Sequence, residues 1–95
     1  MTKDEISLIL YLETRIVDRI GRVDMEQIND VDLEIINKWK SEGLIQFGRI
    51  KIKDHNSDGT HWVDFSEKAW DLAHSQRQAR GKRMVIERNY ERTSE

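Results

Sequence analysis

A helical segment that stops at a glycine and runs directly into a β-hairpin pattern constrains this chain more than any other feature. Leu33, Ile35, Ile36 and Trp39 recur at helical spacing, and Gly43 closes the run within Lys40-Ser41-Glu42-Gly43-Leu44-Ile45. Residues 44–53 and 60–65 then read as strands rich in Ile, Val, Phe and Trp, separated by the polar loop at 54–59. In the first run Ile50 and Ile52 share one face and Arg49, Lys51 and Lys53 the other. In the second, His61, Val63 and Phe65 lie opposite Trp62 and Asp64. Asp58-Gly59 suits the positive φ angles of a hairpin turn.

The elements on either side follow from capping and periodicity. Thr2 and Glu5 have capping-box spacing and open a first helix whose apolar positions are Ile6, Ile9, Leu10, Ile16, Val17 and Ile20. Leu8, Tyr11 and Leu12 widen that face, which suggests two packing partners: the rest of the domain and a second copy of the chain. Gly21 is placed to end this helix in the left-handed region. Asp24 caps a short element through Ile28, and Asn29-Asp30 caps the helix predicted over 31–42, whose outward face presents Glu34, Asn37, Lys38 and Ser41. Ser66 caps a last helix with Ala69, Leu72, Ala73 and Trp70 on its apolar side. Gly81 is a candidate stop or weak point in it.

With 95 residues the chain makes one domain, expected over 1–86, with a frayed, charged tail over 87–95. It has no cysteine, so disulfide and thiolate chemistry are excluded, and no proline that would mark a linker. No apolar run approaches the roughly 20 residues of a membrane span, and no secretion signal is visible, so a soluble, cytoplasmic protein without membrane contact is expected. Net charge is −2 but unevenly distributed. The first half is acidic, with Asp30, Asp32 and Glu34 crowded at one helix start. The basic excess lies at Arg49, Lys51 and Lys53 and at Arg77, Arg80, Lys82 and Arg83, the segments suited to a phosphate backbone.

Chemistry-bearing patterns are few. There is no glycine-rich phosphate loop, no nucleophile elbow and no Ser/His/Asp order that one small core could enclose, so an enzyme is not expected. Asp54, His55, Asp58 and His61 gather near one hairpin, but their spacing matches no standard metal loop, and neither metal nor cofactor is expected. Trp39 and Trp70 fall on apolar helix faces. Trp62 either covers the far side of the hairpin or stands exposed as an interaction residue.

The order helix, short helix, helix, hairpin, helix resembles the winged helix-turn-helix superfamily, and most closely small transcriptional regulators of the multiple-antibiotic-resistance-regulator type. Trp39-Lys40-Ser41-Glu42-Gly43-Leu44-Ile45 and Val63-Asp64-Phe65-Ser66-Glu67-Lys68-Ala69 carry the resemblance, which covers roughly residues 5–75. It implies an α+β, mostly helical fold with a two-stranded hairpin wing and a C-terminal helix. It also implies a dimeric, accessory or phage-like regulator of transcription that binds double-stranded DNA. The expected DNA-binding residues are Asn37, Lys38 and Ser41 on the recognition helix, Arg49, Lys51, Lys53, His55 and Asn56 on the wing, and Arg77, Arg80, Lys82 and Arg83 on the last helix. Leu8, Tyr11, Leu12 and Trp70 are the expected dimer contacts. Asp30, Asp32 and Glu34 depart from the Ser, Thr, Arg or Gln with which the family opens its recognition helix. They leave an alternative open, a winged-helix module whose acidic helix binds a basic protein partner.

Overall fold

Local capping sets most element boundaries. In the computed structural model, which describes residues 1–56 and 58–93 with side chains as far as residue 81, the Thr2 hydroxyl and Glu5 carboxylate form the reciprocal box that opens α1 (Lys3–Arg19). Asn29 and Asp32 form a second box opening α2 (Asp30–Ser41). Asp24 caps a single 3-10 turn, Met25–Gln27, and Ser66 accepts the Ala69 N–H at the start of α3 (Glu67–Thr93). α1 ends at Arg19, because Ile20 itself is left-handed at φ 56° and Gly21 follows at φ 79°. A β-branched residue there is strained, and Ile20 is 95 % exposed.

The fold is α+β and mostly helical, with three α-helices and a three-stranded antiparallel sheet among the described residues. The additional strand is β1 (Arg22–Val23), which lies beside β3 (His61–Phe65), while β2 (Ile45–Arg49) occupies β3's other edge. A two-residue strand has no alternation to read, and its pairing depends on a close backbone approach. The Val63 N–H donates to the Gly21 carbonyl at 2.8 Å, and a Cβ on Gly21 would stand 2.7 Å from the Val63 oxygen.

The strand expected through Lys53 is shorter. Pairing ends with the Ile50 N–H donating to Thr60 O at 2.9 Å, after which Ile52–Asp54 is a 3-10 turn. Ile52 therefore does not share a buried face with Ile50. Beyond Thr60 the opposite segment passes under β1, where Gly59 sits so near Val23 that a Cβ would meet its carbonyl oxygen. No partner strand is left for residues 51–53. At the other end, α3 runs through Gly81 to Thr93, so Gly81 does not end it.

The core lies between the inner face of the sheet and the helices. Ile9, Leu12, Val23 and Ile36 are fully enclosed, joined by Leu8, Trp39, Ile45, Val63 and Phe65. Burying each such side chain contributes about 1.5–3 kcal/mol. Ala69 and Ala73 are completely buried, which permits the approach of α3 to α1. Leu33, expected in the buried stripe of α2, is 37 % exposed, so that stripe narrows to Ile36 and Trp39 with Ile35 beside them. Leu8 and Leu12, expected to meet a second chain, are consumed by the monomer's own core at 3 % and 0 % exposure. Tyr11 and Trp70 remain half-buried.

One buried ion pair joins α1 to α3. Glu13 is almost wholly enclosed, and its Oε1 accepts from both Nε and Nη2 of Arg77 at 2.6 Å. Arg77 is thus committed to the fold rather than simply displayed to solvent. Removing only one partner leaves the other charge without compensation. Arg77→Ala should lower stability by about 2 kcal/mol in urea denaturation, reduced from the cost of a fully buried pair because Arg77 is itself half exposed. The double change Glu13→Met with Arg77→Met should recover most of that loss, and a double-mutant cycle showing no coupling would reject the pairing.

Candidate nucleic-acid interface

The turn after β2 concentrates exposed cations on an ordered support. Arg49 ends β2, and Lys51 and Lys53 border or occupy the following 3-10 turn; all three are exposed and join no ion pair among the described residues. The support comes from arginines on α1 and β1. Arg22 Nη1 donates to Asp54 O at 2.8 Å and to Gly59 O at 3.3 Å, while Arg15 Nε donates to Arg22 O at 2.7 Å. Arg15 Nη2 also donates to Asp58 O, and Arg19 lies 3.8 Å from the Asp58 carboxylate. None of these arginines was recognisable as a loop anchor in the sequence. Their partners are remote in the chain, and the residue types alone read as solvated helix ends.

Two hairpin residues expected to contact DNA are turned to structural use. His55 Nε2–H donates to Ile50 O at 2.8 Å, so the ring is held against its own loop and not directed at a ligand. Asn56 Oδ1 accepts the Asp58 N–H at 2.9 Å in a tight turn, leaving only its amide NH2 for an external contact. On α2, Asn37, Lys38 and Ser41 share the exposed outward face with Asp30 and Glu34. Ser41 Oγ donates to Lys38 O at 2.8 Å, and Lys38 Nζ lies 3.9 Å from Glu5. Asp32 is occupied by its capping box, so one of the three acidic residues is explained by the helix itself. On α3, Arg80 is exposed, whereas the side chains of Lys82 and Arg83 lie outside the described residues.

The outer face of the sheet carries a second concentration of polar and aromatic groups. Cross-strand register places Arg22, Trp62 and Gly48 on one rung and Gln46 opposite Asp64 on the next. Trp62 is 38 % exposed and lies over Gly48, where a Cβ would be 2.7–2.8 Å from three atoms of the indole. Among the described residues no group of three or more His, Asp or Glu side chains is arranged to hold a metal ion, and no helix is long and apolar enough to cross a membrane.

Comparison with protein-family models, curated proteins and solved structures gives no match for this chain.

On the inner face, His61 stacks on Phe47 with 5.4 Å between ring centroids, and its Nδ1 lies 2.8 Å from Thr60 Oγ1. Burial, reinforced by Arg49 and then His55, pushes the imidazole below its ordinary value of 6.5. The folded state therefore binds this proton less readily than the unfolded chain does. The His61 contribution to stability is complete above pH 6.5 and declines as pH falls through 6.5 toward the lowered value. NMR titration should place the His61 midpoint below 6.5, and Arg49→Ala should move it upward. An unchanged midpoint in that variant would remove Arg49 as a cause.

Proposed function

We propose that this chain is a winged helix-turn-helix protein that binds double-stranded DNA chiefly through phosphate contacts of its wing, in the manner of a small regulator. The order α1, β1, 3-10 turn, α2, β2, β3, with β1 paired to β3, supports that architecture, although one turn at Met25–Gln27 stands in place of a full second helix. The observation that carries the function is the display of Arg49, Lys51 and Lys53 on a loop already fixed by Arg15, Arg22 and His55. A pre-ordered loop loses little conformational freedom on binding, so more of the phosphate attraction is retained as affinity.

The helix that would face the major groove contributes less. Asn37, Lys38 and Ser41 can donate to bases or phosphates, but Asp30 and Glu34 on the same face repel the backbone. Binding is accordingly governed by phosphates more than by sequence. The wing cations belong to one chain, so this mode of binding does not require a dimer.

Fluorescence anisotropy with a mixed-sequence duplex tests this directly. Three phosphate contacts give a slope of log K against log salt of roughly −2.7, and Lys51→Ala with Lys53→Ala should reduce it to about −0.9. An unaltered slope would exclude the wing as the contact. The acidic face of α2 favours a second reading, capture of a basic protein surface. Asp30→Lys with Glu34→Lys separates the two, because it should strengthen duplex binding but abolish capture of such a partner.

A further inference from the structure

We propose that the outer face of the sheet is a separate site for single-stranded DNA, in which an unpaired base stacks on Trp62. One side of the indole is occupied by the Gly48 backbone. The near-equal distances from a Gly48 Cβ position to Nε1, Cε2 and Cζ2 place the ring broadside across that glycine. Trp62 as a whole remains 38 % exposed. Neither a cation nor a second aromatic ring lies over it among the described residues: the Arg22 guanidinium on the neighbouring strand is directed to Asp54 and Gly59 instead.

Beside Trp62, the end of α2 and the free edge of β2 border an open groove of about 390 Å³ lined by Lys40, Gly43, Ile45, Gln46, Phe47 and Trp62. Lys40 is its one charged lining residue, so the groove favours an anion. The Gln46 side chain is exposed and makes no hydrogen bond within the described residues, leaving an amide that can both donate and accept at a base edge. An aromatic face for the base, an amide for its edge and an ammonium for the phosphate are the groups by which single strands are held. This site shares a phosphate backbone with the proposed wing contact but uses different residues, so either can fail without the other.

The test is anisotropy titration with a short oligothymidylate, an abasic strand of the same length, and a blunt duplex, accompanied by tryptophan fluorescence. Oligothymidylate should bind and quench fluorescence, and should bind more tightly than the abasic strand by about 5- to 150-fold, the factor expected from stacking one base. Trp62→Ala should remove that discrimination and leave duplex affinity unchanged, while Trp62→Phe should retain part of it. Lys40→Ala, at an exposed position, should flatten the salt dependence of oligothymidylate binding and preserve the preference over the abasic strand. Thermal melts establish that each variant is folded, and Trp62→Phe and Lys40→Ala keep the test available if Trp62→Ala is not. Equal binding of oligothymidylate and abasic strand would overturn the site. So would unchanged discrimination in folded Trp62→Ala, or a Trp62→Ala effect confined to self-association in sedimentation, which would assign the face to a second copy. Loss of the Lys51/Lys53 effect on duplex with the Trp62 effect intact would reject the wing and leave this site standing.

Discussion

The donation of guanidinium groups from α1 and β1 to the carbonyls of the hairpin loop is the interaction on which the candidate surface depends. Arg22 reaches Asp54 and Gly59, Arg15 reaches both Arg22 and Asp58, and the loop is drawn against the end of α1. Loop carbonyls without strand partners require donors or water, and an arginine supplies several from one planar group. Its charge also makes each bond stronger than a neutral one. This arrangement brings Gly59 under the Val23 carbonyl, ends the β2–β3 ladder, and turns residues 51–54 into a compact bend. Lys51 and Lys53 are consequently held outward on a braced turn instead of alternating along a strand.

The same geometry sorts the chain's positive charges by task. Arg15 and Arg22 bind backbone and Arg77 neutralises buried Glu13, so these cations serve the fold. Arg49, Lys51, Lys53 and Arg80 face solvent. The acidic excess of the first half is partly structural too, since Glu5 and Asp32 close capping boxes and Glu13 accepts Arg77. A sum over the sequence does not separate these roles. Its slight negative value conceals the exposed cations Arg49, Lys51 and Lys53 beside Asp54 on the hairpin and a helix face that carries Asp30 and Glu34.

Much of the fold was legible in the residues, and the divisions are physical. Thr2/Glu5, Asp24 and Asn29 marked helix starts because a cap reaches only two or three residues. Gly43 marked the end of α2 because a positive φ is a local requirement, whereas at the end of α1 Ile20 takes the left-handed position before Gly21. The alternation of His61, Val63 and Phe65 correctly identified their shared face. Periodicity was weaker where a position is apolar but unneeded: Leu33 and Ile52 fit their stripes yet remain exposed. It also could not distinguish a wide apolar face serving one core from a face serving two partners, and Leu8 and Leu12 prove to serve one.

Within the candidate surfaces, sequence identified the exposed wing cations but assigned His55 and Asn56 only to external contact, where each makes a bond within its own loop. Trp62 had two open readings, and the structure shows part of each, since the indole lies against Gly48 and remains 38 % exposed. What the sequence determined by itself were helix limits, turn positions and strand faces, all governed by forces acting across a few residues. Tertiary structure decided the third strand, the bend after β2, and which charges remain available. Those outcomes depend on bonds joining residues 32, 43 and 64 positions apart, and no local pattern encodes a partner that only folding brings near.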